Sequence, residues 1–228
     1  MSFAWIIFIL VALLSYAVQY NLRNKFERYS RELLASGLSG AEVAKKMLQE
    51  NGIYDVIVTV TPGSLTDHYN PENKTVNLST EVYNGRSVAA AAVAAHECGH
   101  AIQHARAYAP LTLRSALVPV VSFTSQWMHW VLLAGILLVQ IVPAILLVGI
   151  VLFALTTLFS LVTLPVEIDA SRRAVNWVRS AGVVTQQEYP DAVDALRSAA
   201  YTYVIAALSS LATLIYYIME YAGATRRG

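Results

Sequence analysis

The 228-residue chain has one cysteine, few charged residues and almost no net charge. Because Cys98 is alone, no intrachain disulfide can form, and a reducing compartment is compatible with the sequence. The net charge is +1, and no basic stripe could neutralise phosphates, which excludes a nucleic-acid partner. The chain also contains no internal repeat and no low-complexity tract. Its apolar stretches and a few motifs therefore carry the information.

Apolar residues dominate the composition. Hydrophobic residues make up 56% of the chain and charged residues 14%, and the mean hydropathy of +0.50 is rarely reached by a soluble domain of this size. Four stretches without Asp, Glu, Lys or Arg indicate membrane spans: Phe3–Val18, Leu117–Gln140, Ala144–Leu164 and Tyr201–Met219. The sequence therefore predicts an integral membrane protein with about four transmembrane helices.

Two of these stretches need interpretation. Phe3–Val18 has neither a basic segment before it nor a convincing cleavage site, so we interpret it as a retained anchor rather than a signal peptide. Leu117–Gln140 is polar in its first half, which leaves open an interfacial helix that places Trp127 and Trp130 at headgroup depth.

Two polar pieces lie between the apolar stretches. The first, Asn21–Arg114, is long enough for a small domain, and its periodicity predicts two helices, a strand and a hairpin: Arg23–Ser36, a helix starting at Ser39, Asp55–Thr61, and Leu65–Tyr69 joined by Asn70–Asn73 to Lys74–Ser79. The second, Pro165–Ala200, is predicted to be helical. The fold class expected from these elements is α+β, mainly helical.

The segment His96-Glu97-Cys98-Gly99-His100 reproduces the HExxH pattern of zinc metallopeptidases. An alanine-rich run capped by Ser87 precedes it, so the motif is predicted to lie on a helix. Four helical residues make slightly more than one turn, so both histidines project from one face and can bind one Zn²⁺. Glu97 then lies beside the metal and can act as a general base, while Cys98 points away and packs.

A catalytic zinc site needs a third protein ligand. His104 continues the helical face, but it lies about 12 Å along the axis from His96 at 1.5 Å per residue, too far for a shared metal. We expect it to be a surface residue or a partner of a ligand. Glu167 is the better candidate, since it follows Pro165, where the third span should end and a helix restart. A two-span hairpin also returns Glu167 to the side of the membrane that carries the motif.

Taken together, these motifs resemble the YugP-like neutral zinc metallopeptidases, a family of bacterial membrane proteins. The resemblance covers most of the chain and rests on four segments: Leu65–Pro71, Val76–Ser79, Ser87–His104 and Leu164–Ala174. It implies a gluzincin-like catalytic domain held by membrane helices and one zinc ion. It also implies that His96, His100 and Glu167 are the ligands and that Glu97 is the base.

The segment after Glu167 is also similar to the E-x-x-A-D-R segment of membrane peptidases related to CAAX prenyl endopeptidases. Ser171 stands where those enzymes have an aspartate that supports the ligands. Ser171 and Asp169 are therefore both candidates for the residue that orients the ligand histidines.

Substrate contacts are less sharply indicated. In gluzincin-like enzymes a substrate strand pairs with an edge strand beside the zinc helix, and Lys74–Ser79, which contains Asn77, is placed in sequence for that role. An ordinary surface hairpin is the alternative. The candidates for a hydrogen-bond donor to the oxyanion are Arg172, Arg173, Tyr69 and His68. His68 is alternatively a structural residue.

The predicted function is that of a membrane-embedded zinc endopeptidase in the lipid bilayer. Its substrate is expected to be a peptide or a membrane protein, and the sequence does not say whether another membrane protein is its partner. A protease with its motif inside a spanning helix is disfavoured, because only Val88–Ala95 is apolar before the motif and Gln103, His104 and Arg106 follow it. A metal-binding membrane scaffold without turnover is the alternative. The predicted domains are an anchor (1–20), a catalytic domain (21–115), a two-span hairpin (116–164), a third-ligand helical segment (165–200) and a C-terminal transmembrane helix with a tail (201–228).

The distribution of basic residues predicts orientation. Of the sixteen Lys and Arg residues, ten lie in Asn21–Arg114 and four in Pro165–Ala200, whereas the loop near Pro143 carries none. Basic loops face the cytoplasm, so the active site is predicted on that side. Arg226 and Arg227 oppose this weakly.

Overall fold

The computed structural model describes the backbone of residues 3–226 and the side chains of residues 8–226. Within that part of the chain, seven helices and three strands follow one another in this order: α1 (Phe3–Arg31), α2 (Gly40–Glu50), β1 (Ile57–Thr61), β2 (His68–Asn70), β3 (Thr75–Ser79), α3 (Thr80–Asn84), α4 (Val88–Ala105), α5 (Ala109–Leu138), α6 (Pro143–Ser180) and α7 (Tyr189–Thr225). The protein is mainly helical with one small sheet, as expected.

The chain divides into two compact units. We call Met1–Ser15, Thr112–Leu164 and Tyr203–Gly228 the apolar unit, and Tyr16–Leu111 with Pro165–Thr202 the α/β unit. The motif helix α4 and the segment that follows Pro165 thus belong to the same unit.

Helix α2 begins where the sequence predicts. The Ser39 hydroxyl accepts the Glu42 backbone N–H at 3.3 Å, and the Glu42 carboxylate accepts the Ser39 N–H at 2.7 Å, which together form a capping box. Val43 and Met47 are completely buried on its inner face. This face packs against α4 and forms part of the core of the α/β unit.

The sheet has the strand order β1-β3-β2, with β1 parallel to β3 and β2 antiparallel to it. The predicted strand and hairpin are confirmed, with shorter strands. The prediction that Lys74–Ser79 is an edge strand is wrong. Strand β1 pairs with one side of β3 and β2 pairs with the other, so β3 is the central strand. The edges are β1 and β2. Val76 and Leu78 of β3 are completely buried, which fits its central position.

Helix α4 begins after Ser87, whose hydroxyl accepts the Ala90 N–H at 3.2 Å. Its alanines from Ala89 to Ala101 are buried within the α/β unit. At Gly99 a Cβ atom would lie 2.7 Å from the carbonyl oxygen of Ala170 on α6. Only glycine permits this approach, which brings the backbone of α6 against the motif.

Helix α6 runs through Pro165 without a break, so the predicted restart of a helix there is wrong. Proline removes one helical hydrogen bond and costs about 3 kcal/mol. Burial of Val166, Ala170, Ala174 and Val178 along the same helix offsets that cost. Glu167 consequently lies within a helix rather than at a helix start.

The apolar unit is built around a helical hairpin. Met128 and Leu132 of α5 pack with Leu146 and Ile150 of α6, and at Gly135 a Cβ would lie 2.6 Å from the Leu146 Cα. A hydrogen bond of 2.8 Å between the hydroxyls of Thr157 and Ser210 joins α6 to α7.

Among the described residues, three helices are long and apolar enough to cross a membrane: α5, α6 and α7. Four spans were predicted, so the count differs. The remaining stretch, Phe3–Val18, forms the first half of α1, and the side chains of residues 3–7 lie outside the described part of the chain. Helix α5 is continuous over Leu117–Leu138, without a separate interfacial helix.

Candidate metal centre

Two helices of the α/β unit bring the predicted ligands together. On α4, the rings of His96 and His100 lie edge to face with centroids 4.8 Å apart. From α6, Glu167 Oε2 lies 3.2 Å from His96 Nε2 and 3.5 Å from His100 Nε2. One donor atom from each of the three residues lies within 4.8 Å of the other two. The three side chains could therefore hold one metal ion.

The geometry and chemistry of this cluster fit zinc. Donor atoms bound tetrahedrally at about 2.1 Å lie about 3.4 Å from one another, close to the two distances from Glu167 Oε2. Two imidazoles and one carboxylate are a donor set of catalytic zinc sites, which keep the fourth position for water or substrate.

Each of the two clustered histidines has a partner at its other ring nitrogen. Ser171 Oγ lies 3.1 Å from His96 Nδ1, and Gln103 Oε1 lies 3.1 Å from His100 Nδ1. Asp169 reaches His100 indirectly, since Gln103 Nε2 donates to Asp169 Oδ2 at 2.9 Å. Both Nε2 atoms therefore face Glu167, while both Nδ1 atoms contact a polar side chain on the opposite side of the ring. Metal-binding histidines commonly have such a hydrogen bond at the second ring nitrogen.

The electrostatics of the cluster favour ionised groups. Burial acts to raise the pKa of Glu167, but hydrogen bonds to His100 and His96 outweigh it and hold that pKa well below its usual range. Burial acts to lower the pKa of His100, but the hydrogen bond to Glu167 and the charges of Glu97 and Glu167 raise it overall. A metal ion would replace a proton at this site, because a ligand imidazole must be neutral.

Two further motif residues lie on α4 and are not among the three clustered donors. The Glu97 side chain is buried, and its charge acts on His100, but it is not one of the three clustered donors. Cys98 is completely buried and donates from Sγ to the Ala44 carbonyl at 3.5 Å, and burial raises the pKa of its thiol. It is a packing residue, as predicted.

The other predicted side chains lie outside the cluster. His104 is exposed with its Nδ1 2.9 Å from the Tyr69 hydroxyl, and the exposed His68 has its Nδ1 2.8 Å from the Thr66 carbonyl. Asn77 donates to Thr75, while Arg172 and Arg173 donate to Asp169 at 2.9 and 2.6 Å. The structure thus gives each oxyanion candidate another partner.

Sequence reasoning gave no role to Gln103, although the structure places it behind His100. The available signal was its spacing, since it lies three residues after His100 on the same helix face.

Known proteins resemble this chain over most of its length. Residues 4–222 match the model of a family described as "Putative neutral zinc metallopeptidase". The chain belongs to this family. It is also 43% identical over 206 residues to "Putative membrane protease YugP" of Bacillus subtilis (strain 168), which covers 90% of this chain and 91% of the relative. No solved structure matches the chain. The resemblance of the motifs to YugP-like neutral zinc metallopeptidases is therefore confirmed.

Proposed function

We propose that this member of the neutral zinc metallopeptidase family is a membrane-embedded endopeptidase that uses one zinc ion and hydrolyses peptide bonds. The observation that supports this best is the meeting of His96, His100 and Glu167 donor atoms within 4.8 Å, with a buried Glu97 beside them. Family membership supports zinc as the metal, and the donor geometry supports these three residues as its ligands.

His96, His100 and Glu167 would hold the zinc ion, which when bound would polarise the scissile carbonyl and lower the pKa of water at the site. Glu97 takes a proton from the attacking water as the water oxygen bonds to the carbonyl carbon. The C–N bond then breaks, and Glu97 returns the proton to the leaving amine. The buried position of Glu97 keeps its carboxylate away from competing bulk water.

The substrate we propose is a peptide segment, including segments of membrane proteins, bound as an added strand. Because β3 is central, the edge strand available beside the motif is β2, which contacts α4 through Tyr69 and His104. An extended peptide that pairs with β2 would lie along the motif helix, in the manner proposed for gluzincin-like enzymes.

The function is tested by Glu97→Gln in the full-length protein. The amide cannot accept a proton, so cleavage of a peptide or casein should fall by about 10²–10⁴-fold while zinc stays bound. Glu72→Gln, an exposed change of the same chemistry, is the matched control and should keep activity. Metal analysis and cleavage are measured on the same preparation, with and without a chelator.

Three outcomes are separable in that experiment. Chelator-sensitive cleavage that Glu97→Gln abolishes supports the peptidase. Stoichiometric zinc without cleavage of any peptide indicates the metal-binding scaffold instead. Retained activity in Glu97→Gln, or loss of its zinc, contradicts the role of Glu97 as base.

We further propose a multi-pass protein with four spans, the first being Phe3–Val18, and an active site facing the cytoplasm. The basic residues of both polar pieces support this orientation. Single cysteines at the exposed positions Asn73 and Gln187 should react with an impermeant reagent only after lysis, and buried Cys98 adds little background. Labelling in intact cells would reverse the assignment.

A further inference from the structure

Gln103 is completely buried on α4, one turn beyond His100, and all of its described partners lie in the α/β unit. Its Nε2 donates to the Val166 carbonyl at 2.8 Å and to Asp169 Oδ2 at 2.9 Å. Its Oε1 lies 3.1 Å from His100 Nδ1. The amide therefore has three partners, and their chemistry differs.

These partners determine which way the amide faces. A backbone carbonyl and a carboxylate only accept hydrogen bonds, so the NH₂ group of Gln103 must face Val166 and Asp169. The amide oxygen then faces His100 Nδ1, which has to be the donor in that contact. In the neutral imidazole that a metal ion requires, the opposite nitrogen of His100, Nε2, then carries the lone pair and faces Glu167.

The other ligand histidine is held differently. Its partner, the Ser171 hydroxyl, can either donate to His96 Nδ1 or accept from it, so this contact is compatible with both tautomers of His96. Asp169 has no such freedom, because Arg172 and Arg173 donate to its carboxylate and hold it in place. The contacts around Gln103 thus specify one tautomer, whereas those around His96 do not.

We propose that Gln103 is a positioning residue that fixes His100 in the tautomer and ring orientation required for zinc binding. Asp169, held by Arg172 and Arg173, fixes the Gln103 amide in turn. The inference rests on the proposed zinc site, and it assigns the arginines a part in metal affinity rather than in oxyanion binding.

The primary test measures zinc affinity by competition with a chromophoric chelator, using the full-length protein in detergent. Gln103→Leu removes the acceptor for His100 Nδ1 and should weaken zinc binding about 10–100-fold. Gln49→Leu, an exposed change on α2, is the control and should bind as the unmodified protein does. The visible spectrum of the cobalt-substituted protein should change in Gln103→Leu and not in the control.

A rescue separates positioning from simple structural support. Gln103→Glu keeps an acceptor for His100 but sets one carboxylate against another at Asp169, so zinc affinity should fall at least about tenfold. Adding Asp169→Asn removes the repulsion between the two carboxylates and should return only part of the lost affinity, because the Val166 carbonyl still faces an oxygen. Loss of folding stability alone would not produce this non-additive recovery.

The inference fails if Gln103→Leu folds and binds zinc with unchanged affinity and an unchanged cobalt spectrum. It also fails if the double variant is no better than Gln103→Glu. The result for the Gln103 inference can be separated from the result for the proposed peptidase activity, because this experiment measures zinc binding and not cleavage. A protein that cleaves nothing but loses zinc affinity in Gln103→Leu would refute the proposed activity and support the positioning role. If the unmodified protein binds no zinc, both the proposed zinc peptidase activity and the positioning role of Gln103 are refuted.

Discussion

The two units bury their side chains in opposite ways. In the α/β unit, Val43, Met47 and Leu78 are completely buried, whereas in the apolar unit Trp130 and Leu137 are 69% and 73% exposed. The first pattern is that of a core stabilised by the exclusion of water. The second suits helices surrounded by lipid, which are held together by close backbone approach and a few hydrogen bonds.

The difference also concerns charge. Residues 115–166 contain no Asp, Glu, Lys or Arg, while the next residue, Glu167, begins a charged segment of the α/β unit. One continuous helix, α6, thus supplies an uncharged stretch to one unit and the candidate ligand Glu167, with Asp169 and Ser171, to the other. We infer that changes in the two units have separable effects, and the predictions below test that separation.

The largest effect is expected for Glu167→Ala, which removes one of the three donors in the α/β unit. Zinc affinity should fall by more than the roughly 10–100-fold typical of residues that only support a ligand. His104→Ala is the matched control, because it lies on the motif helix outside the cluster and should retain zinc. Metal content of the purified proteins measures both.

A structure with zinc bound would decide the same point directly. If the ion is held by His96, His100 and another group, with the Glu167 carboxylate more than about 3 Å from it, that result would falsify the assignment.

The next effect is expected for a pair of Gly→Ala changes, one in each unit, which compares how each unit contributes to zinc affinity and to stability. In Gly99→Ala the new Cβ would meet the Ala170 backbone at 2.7 Å, so α4 and α6 must separate and the donors on them spread. In Gly135→Ala the new Cβ would meet the Leu146 backbone at 2.6 Å, within the apolar unit. We expect both to lose about 1–3 kcal/mol of stability, but only Gly99→Ala to lose zinc affinity.

Thermal unfolding in detergent and zinc competition measure the two effects in the paired variants. Gly223→Ala, at a helical glycine with open space around it, controls for the change in residue type. Equal loss of zinc affinity in Gly99→Ala and Gly135→Ala would show that the units are not separable in this respect.

The parts of the site that could be predicted are those with local signals. The spacing of His96 and His100, the capping residues Ser39 and Ser87, and the carboxylate of Glu167 are all visible in short windows of sequence. The remaining features depend on contacts distant in sequence. The central position of β3 depends on β1, and Gln103 depends on Val166 and Asp169, more than sixty residues away.

The path of α6 through Pro165 shows a different limit. A proline after an apolar run favours a helix end when only local propensity is considered. Here burial on the following turns outweighs the local cost, and that burial is created by α4 and the rest of the α/β unit. Tertiary packing therefore determines that α6 continues through Pro165, which the local sequence alone does not predict.

The smallest effect is expected at Glu188, which ties the loop after α1 to the turn before α7 within the α/β unit. Its carboxylate accepts the N–H of Ala35 at 2.6 Å and that of Thr185 at 2.7 Å. Burial acts to raise the pKa of Glu188, but these hydrogen bonds outweigh it and lower the pKa below its usual value. The stabilisation is therefore complete above the ordinary glutamate pKa of about 4.3 and is lost as the pH falls through the lower folded value.

Glu188→Gln should accordingly cost about 1 kcal/mol at pH 7, the typical value of a lost capping interaction. The deficit relative to the unmodified protein should shrink as the pH falls below about 4.3, because protonation removes the same charge from the original residue. Melting temperatures measured across this range provide the test, with Glu72→Gln as an exposed control. A deficit that stays constant with pH would show that the Glu188 charge does not contribute to stability, and that the two hydrogen bonds act through neutral contacts alone.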